Sequence, residues 1–176
     1  MAFLSAFGAI FAASSALSPS IANAAGPSTY IINAQSGLTA YLVSPSNCHN
    51  MTCLNGAPFK PGSGSDFSSF YTTKNAAGLV QFHWNSNKCV DVLNGGTENG
   101  TSVVVNDCNG SLAQLWFPEK ISPGNYLLIN GNGGGCLDAD NSAFPNPSHA
   151  GARLQLWSCA NSASAFIGNQ TWRVDL

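Results

Sequence analysis

The chain has 176 residues, of which only 8% are Asp, Glu, Lys or Arg, and its formal net charge is −2. Nucleic acid and anionic membrane surfaces are bound through a concentrated positive patch. The sequence has no basic cluster, so these two classes of partner are excluded. Eighteen glycines and nine prolines divide the chain into short pieces, and no sustained 3.6-residue apolar period follows the N-terminal segment. We therefore predict an all-β protein of short strands and turns.

The first 24 residues differ in composition from the rest of the chain. Ala2 to Ala13 is almost wholly apolar, Pro19 follows, and Ala22-Asn23-Ala24 has the small-x-small form of a signal-peptide cleavage site. A membrane anchor is the alternative, but an apolar run this short would not cross a hydrocarbon core. We predict a signal peptide over 1–24 and a secreted, extracellular mature domain over 27–176 that is not inserted in a membrane.

The next strong feature is a sequence plan that occurs twice. Each copy has a Cys-x-Asp triplet, a second cysteine 19 or 23 residues after the first, and then a Gln-x-Trp triplet. The first cysteines of the two copies are 47 residues apart, the second cysteines 51 and the tryptophans 56, so the later copy has longer loops. A period near 50 residues indicates an array of similar structural units. The positions are Cys89, Asp91, Cys108, Gln114 and Trp116 in one copy, and Cys136, Asp138, Cys159, Gln170 and Trp172 in the other.

A short apolar segment precedes each copy, at 80–84 and at 126–130, and both segments are typical of strands. The same spacing applied near the start of the mature chain finds a similar segment at 30–33. It predicts a degenerate third unit, with Ala40 at the aspartate position and Phe70 at the tryptophan position. We divide the mature chain into units 27–75, 76–121 and 122–176. Three four-stranded units can close around a threefold axis and leave no exposed sheet edge.

Six cysteines fit an oxidising compartment and allow fifteen disulfide pairings in principle. If equivalent positions pair alike, each copy closes its own loop and the two remaining cysteines are left for each other. Zinc is the competing interpretation, but no C-x-x-C or H-x-x-x-H spacing accompanies these cysteines. His83 lies in an alternating strand and is predicted to be structural. We predict no metal and no cofactor. The predicted pairs are Cys89–Cys108, Cys136–Cys159 and Cys48–Cys53.

Cys-x-Asp, Gln-x-Trp-x-Cys and Asn-Gln-x-Trp at these spacings resemble the ricin B-type lectin family. The resemblance is clear over 76–176 and weak over 27–75. It implies a β-trefoil fold of three repeats, here stapled by disulfides, and a carbohydrate-binding function. In the family, the Gln-x-Trp pair before the end of each repeat is chiefly structural, and its tryptophan lies in the core. The residues that match this pair are Gln114, Trp116, Gln170 and Trp172.

The third unit contains the groups that a sugar site needs. A sugar offers hydroxyls around its edge and a C–H patch on one face, so a carboxylate, amides and an aromatic ring suit it. Asp138, Gln155, Trp157 and Asn169 match the family positions that surround the sugar. Gln155 and Trp157 are two apart in a predicted strand and therefore point to one face. The structural alternatives are core packing for Trp157 and a solvated turn for Asp138.

The second unit keeps Asp91 but has Asn106 where the third unit has Trp157, both two residues before the closing cysteine. Val104 replaces the glutamine of the strand, and Ala113 replaces the asparagine before Gln-x-Trp. Stacking and two amide partners are lost. Asp91 and Asn106 therefore form at best a weak second site, and the alternative is that Asp91 only anchors its own turn.

Four N-x-S/T sequons, at Asn50, Asn99, Asn109 and Asn169, predict a glycoprotein in a eukaryotic secretory pathway. A glycan on Asn169 would block the third-unit site. We therefore expect Asn169 to be sheltered and unmodified.

No enzymatic activity is predicted. Asp138 and Asp140 are neighbours on one short turn and cannot straddle a scissile bond as glycoside hydrolysis requires. No G-x-S-x-G or H-E-x-x-H motif occurs. We expect a non-catalytic lectin for glycans or glycoproteins, with galactose or N-acetylgalactosamine as the first suggestion of the resemblance, and a homodimer as one route to avidity. The alternatives are a β-trefoil protease inhibitor that uses first-unit loops at 48–53 and 57–62, and a structural trefoil without sugar binding.

Overall fold

The computed structural model describes residues 28–42, 52–58, 69–85, 87–140, 152–160 and 168–176. These ranges contain twelve β-strands and three short 3-10 turns. A helix long and apolar enough to span a membrane does not occur among them. The predicted signal peptide over 1–24 lies outside the described residues.

Each of the three units contributes four strands. In the first unit they are β1 (Ile32–Asn33), β2 (Leu38–Leu42), β3 (Thr52–Pro58) and β4 (Tyr71–Lys74). In the second unit they are β5 (Val80–Asn85), β6 (Lys88–Val92), β7 (Thr101–Asp107) and β8 (Trp116–Ser122). In the third unit they are β9 (Asn125–Asn130), β10 (Cys136–Ala139), β11 (Leu154–Trp157) and β12 (Trp172–Arg173).

The first and last strands of the units close into a six-stranded ring. Antiparallel pairs β4–β5, β8–β9 and β12–β1 join successive units. Within the second and third units, β5 pairs with β8 and β9 pairs with β12, and a bridge from Thr29 to Phe70 makes the same link in the first. Closure satisfies the strand edges that would otherwise invite aggregation.

The middle strands form three hairpins, β2–β3, β6–β7 and β10–β11, at one end of the ring. β7 pairs with both β3 and β11, so the hairpins meet around the threefold axis. A ring of six strands with a cap of three hairpins is the trefoil arrangement. The all-β prediction of three similar units is confirmed.

One large aromatic side chain from each unit fills the core at equivalent positions. Phe70, Trp116 and Trp172 are each at most 1% exposed. In the ring, these residues pair with Thr29, Val80 and Tyr126 respectively, which gives each unit the same link. Phe70 therefore occupies the place of the Gln-x-Trp tryptophan in the degenerate first unit.

Two buried asparagines brace one unit against the next. Asn33 Nδ2 donates to the carbonyl oxygen of Gly168 at 2.8 Å, across the β12–β1 junction. Asn130 Nδ2 makes a similar bond to the carbonyl oxygen of Ala113 at 3.0 Å, across the β8–β9 junction. Each side chain satisfies a carbonyl of the turn that precedes Gln-x-Trp in the neighbouring unit. The turns that precede Gln-x-Trp are thus held in place by a side chain of the neighbouring unit.

Two of the three predicted disulfides are formed. Cys89 bonds Cys108, and Cys136 bonds Cys159, with sequence separations of 19 and 23 residues. Each disulfide joins the start of a middle hairpin to its end. Cys89 and Cys136 lie at the start of β6 and β10, and Cys108 and Cys159 follow β7 and β11. The predicted Cys48–Cys53 pair falls outside the described residues, because Cys48 is not among them and only the backbone of Cys53 is described.

Candidate functional site

The glutamine of Gln-x-Trp in the second unit is a buried structural connector. Gln114 Nε2 donates to Asp91 Oδ2 and to the carbonyl oxygen of Asp107, both at 2.7 Å. Its Oε1 accepts from the backbone N–H of Asn109 at 2.8 Å. Gln114 thus links the carboxylate of Cys-x-Asp to the residues on either side of the closing cysteine, Cys108. Every polar atom of the buried amide is satisfied, as burial requires.

The third unit repeats this connector. Gln170 Nε2 donates to Asp138 Oδ2 at 2.9 Å and to the carbonyl oxygen of Ser158 at 3.1 Å. Its Oε1 accepts from the backbone N–H of Ala160 at 2.7 Å. The pairing of aspartate and glutamine is therefore part of the scaffold in both units. Asp91 does anchor its own unit in this way.

Asp138 is the centre of a larger network than its counterpart. Gln155 Nε2 donates to Oδ1 at 2.9 Å, and Asn169 Nδ2 donates to Oδ2 at 2.7 Å, in addition to the bond from Gln170. The carboxylate is only 2% exposed. An ionised carboxylate has about four acceptor positions, so the bonds from described residues occupy three of them and leave one position on Oδ1. Asp138 is thus mainly committed to holding three amides, and it is not the solvated turn residue that was the structural alternative.

Burial raises the pKa of the Asp138 carboxyl, and the nearby charge of Asp140 acts in the same direction. Hydrogen bonds from Gln155 and Gln170 oppose the rise because they favour the charged form. Burial likewise raises the pKa of Asp91 against the bonds from its own amide partners. Both carboxylates are therefore desolvated groups that depend on amide donors.

Trp157 lies beside this network with its ring in solvent. It is 43% exposed, in contrast to the two core tryptophans. Its backbone is opposite Cys136, two residues along β10–β11 from the pair Asp138–Gln155. The ring is flanked by Gly100 of the second unit, where an added Cβ would lie 3.9 Å from Trp157 Cζ3. Core packing, the structural alternative for Trp157, does not apply.

Loop 93–100 of the second unit forms one wall of this third-unit site. Asn99 Oδ1 accepts from the backbone N–H of Ser158 at 2.7 Å and from its hydroxyl at 3.0 Å. The backbone N–H of Gly100 donates to the carbonyl oxygen of Leu156 at 2.8 Å. These bonds fasten the loop to the strand that carries Trp157. The site is therefore built from two units, which sequence spacing within one unit could not indicate.

Arg153 is a site residue that the sequence reasoning missed. Its Nη2 donates to Gln155 Oε1 at 3.0 Å and lies 3.5 Å from Asp140 Oδ2. The side chain is 48% exposed and so reaches the rim of the site. The sequence does contain a signal for this residue. Arg153 precedes Gln155 by two residues, and alternate residues of a strand share a face, so the two side chains are expected on the same side. Arg153 orients the amide so that its NH2 group faces Asp138.

The second unit has a cavity of about 440 Å³ at the corresponding place. The buried Asp91 and the half-buried Asn106 both line it, so the structure brings these two predicted residues together. Asn132 of the third unit also lines it and donates from Nδ2 to the carbonyl oxygen of Gly95 at 2.6 Å. The lining contains no aromatic ring. Its other residues are Asn94, Gly95, Asn109, Ser111, Leu112 and Ala113.

The described residues of the first unit, at 28–42, 52–58 and 69–75, include no carboxylate. Ala40 occupies the aspartate position and is fully buried. The residues proposed for a protease-binding surface are only partly described. Cys53, Ala57 and Pro58 lie in strand β3, paired with β2 and β7, and not in loops. Residues 48–51 and 59–62 lie outside the described part of the chain.

The sequons differ in their surroundings. Asn169 is 9% exposed, and its Nδ2, the atom to which a glycan would be attached, donates to Asp138. The side chains of Asn99 and Asn109 belong to exposed residues and use Oδ1 as an acceptor. Asn50 lies outside the described residues. The geometry thus shelters Asn169 and leaves the amide nitrogens of the other two accessible.

Comparison with protein families gives one match. The profile of the family described as ricin-type beta-trefoil lectin domain-like matches residues 67–157, which is more than half of the chain. The matched region includes the whole second unit and the third unit as far as Trp157. A search of curated proteins gives no match.

Comparison with solved structures finds the same fold in several proteins. A designed threefold symmetric protein, ThreeFoil, has a TM-score of 0.68 at 22% identity, over 85% of this chain and 99% of that one. An exo-beta-1,3-galactanase from Clostridium thermocellum has a TM-score of 0.66 at 22% identity, over 85% of this chain but only 30% of that one. SeviL, solved bound to asialo-GM1 saccharide, has a TM-score of 0.56 at 17% identity, over 86% of this chain and 97% of that one. At these identities the similarity shows the fold.

Proposed function

Because the chain belongs to the ricin-type β-trefoil lectin domain-like family, we propose that it is a non-catalytic lectin whose principal glycan site lies in the third unit. The observation that carries this proposal is the exposed ring of Trp157 beside the buried Asp138–Gln155–Asn169 network. An exposed tryptophan next to ordered polar groups is the combination that a sugar ring requires.

In the proposed complex, the C–H face of a sugar stacks on Trp157. The edge of the sugar faces the polar network, where a hydroxyl donates to the remaining acceptor position on Asp138 Oδ1. A charge-assisted bond of this kind is stronger than one between neutral groups. Because Gln155 and Asn169 are already oriented by the carboxylate, the site is organised before the sugar arrives. Preorganisation lowers the cost of ordering side chains on binding.

The proposed ligand is a glycan or glycoprotein with an exposed galactose-type unit. Galactose or N-acetylgalactosamine comes from the family resemblance, and the structural neighbour bound to asialo-GM1 saccharide supports a saccharide ligand in general. A single shallow site typically has a Kd of about 1 mM, or about −4 kcal/mol. A homodimer or clustered ligands would supply the avidity that such a site lacks. We also propose that the chain is secreted after cleavage near residue 24.

The second-unit cavity is proposed as a weaker site of the same function. Asp91 and Asn106 line it together with Asn132, but no ring is present for stacking. A sugar there would depend on hydrogen bonds alone, so it should bind less tightly than at Trp157. Asn106→Ala should therefore change glycan binding less than Trp157→Ala does.

The test is a glycan array probed with the mature, disulfide-bonded chain and two variants. Trp157→Ala should remove stacking of about 1–2 kcal/mol, which is roughly 5- to 30-fold in Kd. Trp84→Ala is the matched control, because Trp84 is 42% exposed and lies in β5, which pairs with β4, β6 and β8 and not with the strands that carry the network. We expect a coherent class of sugars that is lost in Trp157→Ala and kept in Trp84→Ala, with unchanged thermal melts for both.

Equal loss in both variants would contradict the third-unit site, since it would indicate a general effect of exposed tryptophans. Silence of the folded chain on the whole array would contradict the lectin function itself. The chain would then be titrated against a panel of proteases. Inhibition would support the alternative that first-unit segments at 48–53 and 57–62 bind a protease, and no inhibition would support a structural trefoil.

A further inference from the structure

A histidine lies against the disulfide of the second unit. His83 Nδ1 is 3.3 Å from Cys89 Sγ and 3.6 Å from Cys108 Sγ. His83 is 4% exposed, and Cys89 is fully buried, whereas Cys108 is half-buried. Within the described ranges, these three residues are one group of donor atoms that all lie within 4.8 Å of one another. The proposed sugar site does not use this imidazole.

The imidazole is held in one orientation. Its Nε2 lies 2.9 Å from the Thr73 hydroxyl oxygen. Its ring also stacks on Tyr71, with centroids 4.6 Å apart and planes at 6°. We assign the proton to Nε2, which donates to Thr73 and leaves the lone pair of Nδ1 facing the two sulfur atoms. Burial lowers the pKa of His83, and the neutral ring is the form that binds metals.

We propose that reduction of the Cys89–Cys108 disulfide converts the second unit into a Cys2His site for a thiophilic divalent cation, with zinc as the reference ion. Zinc binds thiolate sulfur at about 2.3 Å and imidazole nitrogen at about 2.0–2.1 Å in tetrahedral geometry. These lengths place nitrogen about 3.5 Å from each sulfur and the two sulfurs about 3.8 Å apart. The two observed Nδ1–Sγ distances, 3.3 and 3.6 Å, already bracket the first value.

Two further features fit a metal site. A histidine that binds zinc usually donates its other ring N–H to a hydrogen-bond acceptor, which fixes the tautomer, and Thr73 fills that role here. The cysteine Cα atoms are 5.1 Å apart, so the two sulfurs can separate by side-chain rotation while the strands stay paired. Water would complete the fourth position, as in zinc sites with three protein ligands.

The chemistry balances with a dithiol reductant. One thiolate of the reductant attacks the accessible Cys108 sulfur, the disulfide bond breaks, and Cys89 leaves as a thiolate. The second thiol of the reductant then attacks its own sulfur in the mixed disulfide and releases Cys108, so the reductant is oxidised to a cyclic disulfide. Binding of Zn²⁺ takes both cysteines as thiolates, and the two thiol protons pass to solvent. The sequence predicts no metal site, and the proposal departs from that prediction for the reduced pair.

The third unit provides an internal control. Cys136 pairs across the sheet with Ile129, whereas Cys89 pairs with His83. The two disulfides have nearly equal Cα separations, 5.0 and 5.1 Å. Within the part of the chain that the structure describes, no imidazole lies beside the third-unit disulfide. Reduction of that disulfide should therefore give two thiols without a third ligand, and the specific affinity should belong to the second unit alone.

The experiment reduces the full chain with a water-soluble phosphine under anaerobic conditions and adds zinc against a competing chelator. The phosphine yields the same two thiols as a dithiol, because it takes an oxygen atom from water and becomes a phosphine oxide, and the protons of that water go to the thiols. Cysteine alkylation is then mapped by peptide mass spectrometry, and cobalt(II) serves as a second probe because thiolate coordination gives it strong absorption. We expect zinc to protect Cys89 and Cys108, while Cys136 and Cys159 stay reactive. His83→Gln should weaken protection at least about tenfold, on the scale of a lost metal-site group.

Two further measurements make each outcome decisive. Ile129→His places the missing group beside the third-unit pair and should add protection at Cys136 and Cys159. Equal protection of both pairs in the natural chain, or no effect of His83→Gln, would overturn the proposal. A near-ultraviolet circular dichroism spectrum of the reduced chain is recorded first. If reduction abolishes the folded spectrum, or if binding survives in denaturant, the site does not depend on the fold and the proposal is wrong.

Discussion

The two core tryptophans allow one prediction to be worked out against its own control. Trp172 and Trp116 are equivalent in the ring and are 1% and 0% exposed. Trp172 Nε1 donates to the carbonyl oxygen of Leu137 at 2.9 Å, whereas Trp116 Nε1 lies 3.5 Å from the carbonyl oxygen of Val90. The second distance is at the limit of a hydrogen bond. The pair thus differs mainly in the strength of one bond.

We expect Trp172→Phe to destabilise the protein more than Trp116→Phe does. Replacing indole by phenyl removes about 40 Å³, which costs about 1 kcal/mol in cavity formation, and lost burial adds about 1 kcal/mol. This part is common to both positions, and Phe70 at the equivalent place shows that the ring can hold a phenyl group. Loss of the shorter bond adds about 1–2 kcal/mol at Trp172 only, because it leaves a buried carbonyl without its donor. The expected totals are about 3–4 and about 2 kcal/mol.

The assay is equilibrium urea unfolding of the disulfide-intact chain, with stability taken from linear extrapolation. The slope of the free energy of unfolding against urea concentration should be the same for the natural chain and both variants, since the surface exposed on unfolding hardly changes. Equal costs at the two positions, or a larger cost at Trp116, would refute the argument from hydrogen-bond length. Trp172→Ala, which removes the whole ring, should cost roughly 3–5 kcal/mol.

Three further predictions test other parts of the molecule. Burial lowers the pKa of His83, so below about pH 6.5 the unfolded chain binds a proton that the native chain does not bind. The free energy of unfolding should therefore fall as the pH falls below this value. Urea unfolding at several pH values should show a shallower fall in His83→Gln. An alanine at Gly133 (φ 92°) would place its Cβ 2.6 Å from Thr97 Cγ2, whereas nothing lies within 4 Å at Gly134 (φ 76°). Gly134→Ala should therefore cost about 1–2 kcal/mol from backbone strain alone, and Gly133→Ala should lower the melting temperature further; equal shifts would contradict the close approach. Secretion from a eukaryotic host followed by glycopeptide mapping should find Asn169 without a glycan, because its Nδ2 is a buried donor, and occupancy there would contradict the native geometry.

The fold could be predicted from the sequence because its evidence is local. Each Cys-x-Asp begins a hairpin and each closing cysteine ends one, so the cysteine spacing records a single structural unit. The Gln-x-Trp triplet marks the return to the core. These signals depend only on distances along the chain, and they can therefore be recognised without knowing how the units pack against one another. Even the degenerate first unit could be placed, since Phe70 keeps the spacing of the core aromatic residue.

The candidate site could be predicted only in part, because its walls come from different units. Gln155, Asn169 and Asp138 do converge, as their spacing within one unit suggested. Loop 93–100 beside Trp157 and Asn132 in the second-unit cavity were not predicted, since closure around the threefold axis brings them there. The spacing of residues within one unit carries no information about which residues of another unit will contact it.

Comparison of the second and third units also distinguishes residues that stabilise the fold from residues that could bind a ligand. Asp91 and Asp138 are both buried, and both accept a bond from the glutamine of Gln-x-Trp. The motif that joins Cys-x-Asp to Gln-x-Trp therefore reports a folded unit whether or not the unit binds a sugar. What differs is the residue two before the closing cysteine, Asn106 in one unit and Trp157 in the other, together with the amides added around Asp138. Specificity for a glycan has to be sought in those variable positions, and a unit that keeps only its aspartate should be regarded first as a structural element.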